Sequence, residues 1–82
     1  MEHAMTVALD ALEPLLEKIR AVPGLTERKR GSFYKRSAAF LHFHEDPAGF
    51  FADLKVGPEW QRFPATTAAE RRALVAVVKR AV

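Results

Sequence analysis

The sequence predicts an α+β domain of two layers, in which two helices cover one face of an antiparallel sheet of three or four strands. The predicted order is α-β-β-β-(β)-α, and residues 1–82 form one small domain. Apolar residues recur at three- and four-residue steps near both ends of the chain, as in amphipathic helices. Between them, residues 33–56 are rich in aromatic and β-forming residues interrupted by turn signals.

The first helix has two predicted starts and one predicted end, at Pro23-Gly24. Residues 10–13 resemble a capping box, which would place Pro14 at the end of the first turn, where a missing N–H costs least. A start near Thr6 would place Pro14 inside the helix and kink it. The apolar stripe is the same for both starts: Leu9, Leu12, Leu15, Leu16, Ile19 and Val22.

The segment after this helix, LTERKRGS at residues 25–32, is predicted to be a charged loop. Strands follow at residues 33–35, 39–45 and 50–56, and residues 60–63 suit a short fourth strand. The closing helix has the clearest start, a capping box from Thr67 to Glu70 just after Pro64. Its buried stripe is Leu74, Val75, Val77, Val78 and Val82.

The turn at residues 46–49, Asp-Pro-Ala-Gly, allows two strand registers. One register pairs Glu45 with Phe50, and the other pairs Asp46 with Phe50. The second register would bury His42 and His44 among apolar residues, at about 1–3 kcal/mol for each unpaired imidazole. The first register gives a wholly apolar face and is therefore predicted: Ala39, Leu41, Phe43, Phe50, Ala52, Leu54 and Val56.

This register defines the outer face, the side of the sheet away from both helices, as the predicted binding face. One of Phe33 and Tyr34 should also lie there, because neighbouring strand residues alternate. The cross-strand pairs are His42–Asp53, His44–Phe51 and Phe40–Lys55, and the first is close enough for a hydrogen bond. The outer face comprises Phe40, His42, His44, Phe51, Asp53, Lys55, Trp60 and Arg62.

Homodimerisation through the outer face is the main functional prediction. A small domain with a thin core and exposed aromatic rings is expected to cover them, and two sheets stacked about a two-fold axis would do so. Phe, Trp and Arg are typical interface residues.

Nucleic-acid binding is the alternative prediction. Basic residues are concentrated in residues 26–37 and 61–82, each with five Lys or Arg and a single Glu, and the net charge is +3. Exposed rings could stack on bases of a single strand, and nearby cations could contact phosphates. The predicted phosphate contacts are Arg28, Lys29, Arg30, Lys35 and Arg36.

Metal binding and catalysis are less favoured. Two histidines at i and i+2 with Asp53 could ligate a divalent metal ion at His42, His44 and Asp53, but the ligand set is short. His42 and Asp53 resemble a base with its orienting carboxylate, yet a nucleophile is missing, because Ser32, Ser37, Thr66 and Thr67 fall in loops or caps and there is no cysteine. We therefore predict no enzyme and no cofactor.

The chain contains no cysteine and no run of 18 apolar residues. The first predicts a fold stabilised without disulfides, and the second predicts no membrane-spanning helix. Charges interrupt the apolar N-terminal stretch, so no signal peptide is predicted. A cytoplasmic location is expected.

Four features together resemble the small YjbR/MmcQ-type bacterial proteins, which have a CyaY-like arrangement. They are a helix ending in VPGL, a glycine followed by an aromatic strand in GSFY, a hairpin, and the closing helix TTAAERRALVAVVKRAV. The resemblance implies a helix pair on one side of an antiparallel sheet and a candidate role in DNA binding. It transfers no site residue, because the motif LHFHED has no counterpart in that family.

Overall fold

The computed structural model describes the backbone of residues 2–3 and 6–82 and the side chains of residues 6–82. It confirms the α+β class, with two helices flanking an antiparallel sheet. The sheet has more strands than predicted. The elements are β1 Glu2–His3, α1 Thr6–Arg20, β2 Leu25–Lys29, β3 Ser32–Lys35, β4 Ala38–Asp46, β5 Gly49–Val56, β6 Glu59–Pro64 and α2 Ala68–Ala81.

The strands lie in the order β2-β3-β4-β5-β6, and each pairs antiparallel with its neighbour. Strand β1 pairs with β4 at residues 44–45, beyond the part of β4 that pairs with β3. The prediction of a loop over residues 25–32 is wrong, because Leu25–Lys29 forms β2 and pairs with β3. The turn between them uses Gly31 at a φ of 83°.

Helix α1 begins at Thr6, the earlier of the two predicted starts, and Pro14 lies inside it. Pro14 is exposed, and it lacks the N–H that would bond the Asp10 carbonyl. The helix nevertheless forms because one side packs into the core, through Ala8, Leu12, Leu15, Leu16 and Ile19. No helix in the described part of the chain is long and apolar enough to cross a membrane.

Helix α2 begins with the predicted capping box. The Glu70 N–H donates to Thr67 Oγ1 at 3.1 Å, and the Thr67 N–H donates to Glu70 Oε1 at 2.9 Å. The backbone N–H groups of Thr67 and then Thr66 lower the pKa of the Glu70 carboxyl, because they bond its charged form.

The hairpin of β4 and β5 has the predicted register, with Glu45 paired to Phe50. Asp46 Oδ1 accepts a hydrogen bond from the Ala48 N–H at 2.8 Å, which closes the turn. The predicted apolar side faces the helices, and its centre is fully buried: Leu41, Phe43, Ala52 and Leu54. Leu74 and Val78 of α2 belong to the same core as these residues.

Candidate binding face

Strands β4, β5 and β6 present alternate residues to the side of the sheet opposite the helices. The register sets Asp53 beside His42 on one strand and beside Arg62 on the other. It also pairs His44 with Phe51, as predicted, and Lys55 with Trp60, a pair that was not predicted. The structure therefore brings together His42, His44, Phe51, Asp53, Lys55, Trp60 and Arg62 on the outer face.

Phe40 is the exception, and its predicted place on the outer face is wrong. Phe33 pairs with Leu41 and Tyr34 pairs with Ala39, so Phe40 is an extra residue in β4, a bulge. Its ring is 3% exposed and belongs to the core. The bulge also leaves Ala39, which was predicted to be buried, exposed to solvent.

The centre of the outer face is a cluster of two imidazoles and one carboxylate. His44 Nε2 lies 2.7 Å from Asp53 Oδ2, and His44 is only 7% exposed. His44 thus contacts Asp53 diagonally across the strands, whereas the register suggested a hydrogen bond only for the directly opposite His42. The His42 and His44 ring centroids are 4.9 Å apart, with the rings nearly perpendicular.

Arg62 holds the other side of the Asp53 carboxylate. Its Nε donates to Oδ1 at 2.8 Å and a terminal nitrogen donates to Oδ2 at 3.0 Å. The pKa of Asp53 is lowered, first by these bonds and also by the charge of His44, against the opposing effect of burial. Asp53 is therefore an ionised acceptor shared by two strands.

Trp60 forms one rim of the face. Its ring centroid lies 5.1 Å from that of His42, and the Lys55 ammonium lies 5.5 Å from the ring centroid on another side. The side chain remains 44% exposed, the most exposed ring in the described part of the chain. A large apolar surface is thus presented to solvent beside two cationic side chains, Lys55 and Arg62.

The hairpin of β2 and β3 supplies the opposite rim. Phe33 is in the core, so Tyr34 is the member of the Phe33/Tyr34 pair that lies on the outer face, and the Arg28 guanidinium covers its ring at 4.4 Å. Ser32, predicted to be in the loop, begins β3 and is the register partner of His42. This neighbour of His42 was not predicted, because residues 25–32 were expected to form a loop and not part of a hairpin.

The predicted phosphate contacts are not gathered on one surface. Lys35 lies toward the helices, where its ammonium donates to the Ala81 carbonyl at 3.2 Å and so caps α2. Arg30 bonds Asp10 at 2.7 Å and Glu13 at 2.8 Å, both on α1. Two of the five predicted cations therefore have structural partners on the helix side.

Glu13 is the hub of the ion pairs that tie α1 to the hairpin. Hydrogen bonds from Arg20, then from Arg30, lower its pKa to about 2. Arg20 also pairs with Glu27 of β2, and Glu27 accepts a bond from the Gly31 N–H at 2.9 Å. The charged segment TERK of β2 therefore lies against the helix layer with its carboxylate paired to Arg20 of α1.

Comparison with protein families, curated proteins and solved structures finds no match for this chain. The resemblance to YjbR/MmcQ-type proteins therefore stays a prediction. The chemistry that the outer face offers is imidazole, carboxylate, guanidinium and an exposed indole within a few ångströms of one another.

Proposed function

We propose that this protein is a non-enzymatic interaction module that binds a second copy of itself along strand β6, with Trp60 of the outer face at the interface. The observation that carries the proposal is the open edge of β6 and its exposed indole. Within the described chain, β6 has β5 on one side and no strand on the other. Every β6 residue except Phe63 is exposed.

The backbone of β6 has hydrogen-bonding groups directed to its open side. The Ala65 N–H donates to the Phe50 carbonyl at 2.8 Å, so Ala65 is directed to β5. Because direction alternates along a strand, Trp60, Arg62 and Pro64 direct their backbone groups away from β5. Proline has no N–H and is tolerated at an edge, while Trp60 and Arg62 leave two donors and two acceptors there.

The open backbone groups of β6 can pair with the same groups of a second chain in one antiparallel register. With Gln61 on the two-fold axis, Trp60 of each chain is opposite Arg62 of the other, and both residues exchange backbone hydrogen bonds. The side chains of such a pair lie on the same face, where Arg over Trp contributes about 0.5–1 kcal/mol. A register with Arg62 opposite itself would oppose two like charges.

Edge pairing also accounts for the outer face better than face-to-face stacking. Stacking was predicted with the Phe40 ring on that face, and Phe40 is in the core. Without it, the exposed aromatic surface is concentrated at Trp60 on the edge strand. Interfaces favour Trp and Arg near their centre, which is where the self-complementary register places both.

The test is the solution mass, by light scattering or sedimentation, of the wild type and of charge variants at Gln61. A residue on the two-fold axis meets itself, so Gln61→Lys and Gln61→Glu should each give monomers, and an equimolar mixture should recover a dimer. Ala76→Lys, on an exposed site of α2, is the matched control and should remain dimeric. A monomeric wild type at high concentration, or a dimer that both charge variants retain, would overturn the proposal.

Nucleic-acid binding stays a prediction, and the same variants separate it from self-association. Salt-dependent binding of a single-stranded oligonucleotide that weakens in Phe51→Ala and Arg36→Ala would support it. Such binding by the monomeric Gln61→Lys variant would show that it does not need the dimer.

A further inference from the structure

We propose that His42 and His44 form a binding site for a divalent transition-metal ion, with Asp53 as the carboxylate that orients His44. The site goes beyond self-association and is independent of it, because its residues lie on β4 and β5 rather than on the β6 edge. The strand alternation that keeps the imidazoles off the helix side also sets both on one surface.

The distances suit a metal ion after small side-chain rotations. One potential ligand atom from each of His42, His44 and Asp53 lies within 4.8 Å of the other two. Ligands about 2.0–2.2 Å from a tetrahedral zinc ion are about 3.3 Å apart, so the ligand atoms of the two histidines, at most 4.8 Å apart, must approach by up to about 1.5 Å. Histidine rings on a fixed strand can do this by turning about their side-chain bonds.

The hydrogen bond between His44 and Asp53 sets the chemistry of the ring. Because Asp53 is an ionised acceptor, His44 Nε2 must carry the proton of their 2.7 Å bond, and in the neutral ring the lone pair is then on Nδ1. A ligating histidine usually donates its other N–H to a carboxylate, which fixes its orientation and raises its basicity. The pair is therefore arranged as a metal-binding imidazole with its outer carboxylate.

The choice of imidazole ligands selects the class of metal. Imidazole nitrogen suits zinc, copper and nickel, whereas calcium and magnesium favour sites built from several oxygens. Asp53 is already held by two bonds from Arg62, so it is better placed as the orienting group than as a ligand. The cation of Arg62 opposes metal binding, and removing it should strengthen the site.

Trp60 provides a direct readout, because it is the only tryptophan and its ring centroid lies 5.1 Å from that of His42. Bound Ni²⁺ should quench its fluorescence, and Zn²⁺ should compete with Ni²⁺ and restore the signal. Binding should weaken in acid, because protons compete with the metal ion for the imidazole nitrogens. The measurement needs only the protein and the metal ion.

The variants distinguish a site from unspecific quenching. His42→Ala with His44→Ala should abolish saturable quenching, and Asp53→Asn should weaken it about 10–100-fold. His42→Ala alone leaves the buried His44–Asp53 pair in place and should also weaken binding, with circular dichroism as the check on folding. Glu45→Gln, on the same strand but the opposite face, is the matched control and should bind as wild type.

Arg62→Gln should bind more tightly than wild type. Saturable binding that survives the double histidine substitution, or the absence of saturable binding by the wild type at pH 7.5, would overturn the proposal. Because the monomeric Gln61→Lys variant retains all three residues, it should bind Ni²⁺ as wild type does, so failure of one proposal is separable from failure of the other.

Discussion

His44 and Asp53 are joined by a 2.7 Å contact between Nε2 and Oδ2 although they are not register partners. The partner of Asp53 on β4 is His42, and that of His44 on β5 is Phe51. Arg62 bonds both Asp53 oxygens from the β6 side. Asp53 thereby joins the three strands of the outer face through side chains as well as through the backbone.

Asp53→Asn should lower the free energy of unfolding by about 1–3 kcal/mol, because hydrogen bonds to a charged, largely buried acceptor are lost. Urea denaturation at pH 7 measures it. Arg62→Gln should cost clearly less, because its side chain is 46% exposed and solvent can replace its bonds. Equal losses for the two variants would mean that the His44–Asp53 contact contributes little.

Stability should fall as the pH is lowered from about 5 to 2. The pKa of Glu13 is about 2 in the folded protein, against about 4.3 in an unfolded chain. Between these values the unfolded state binds more protons, so acid favours unfolding, and the contribution of Glu13 is complete only above the unfolded value. The pKa of Asp53 is lowered too, which adds to the loss in the same direction.

The urea midpoint followed against pH measures this dependence. Glu13→Gln should flatten it, because the titrating group is removed. Glu17→Gln, an exposed change on the same helix, is the control and should retain the wild-type slope. A midpoint that does not change between pH 5 and 2 would contradict the role given to the Glu13 ion pairs.

The position of Phe40 can be tested by stability as well. Phe40→Ala should cost about 3–5 kcal/mol, as expected for a buried ring in the core. Phe51→Ala, a half-buried residue of the outer face, should cost clearly less. The reverse order in thermal or urea unfolding would place the Phe40 ring on the outer face, where alternation alone predicts it.

Much of this fold could be predicted because its signals are local or periodic. The Thr67 capping box, the apolar stripes of both helices and the choice of the Glu45–Phe50 register each rest on one rule that tertiary contacts do not override. The register prediction mattered most, since a one-residue slip would have exchanged the faces of a strand. The outer positions of His42 and Asp53 follow from it directly, and those of Trp60 and Arg62 follow from the alternate residue Phe63, which suits the core.

The wrong predictions share one physical cause: each concerns a feature that is set by contacts between residues far apart in the sequence. Residues 25–29 have the charge of a loop, yet they form a strand that pairs with β3, where Glu27 meets Arg20 of α1. Strict alternation along β4 predicts that the Phe40 ring lies on the outer face. The bulge reverses this, and nothing in the sequence of residues 38–42 marks the extra residue. The register of β4 and β5 places Asp53 opposite His42, so register alone does not predict the diagonal contact of Asp53 with His44.

The turn that fixes the register should be sensitive to a single methyl group. Gly49 has a φ of 134°, and a Cβ there would lie 2.4 Å from Thr66 Oγ1, which accepts a 2.8 Å bond from the Phe50 N–H. Gly57 has a φ of 61° and open space around it. Gly57→Ala should therefore cost only the backbone strain, about 1–2 kcal/mol.

Gly49→Ala should cost at least about 1 kcal/mol more than Gly57→Ala, because Thr66 must move and its bond to Phe50 is weakened. Urea unfolding of both variants measures the difference. Equal costs would show that Thr66 can move freely, and the register of β4 and β5 would then depend on the apolar pattern alone. A larger cost would make Gly49 a second determinant of the register that keeps His42 and His44 on the outer face.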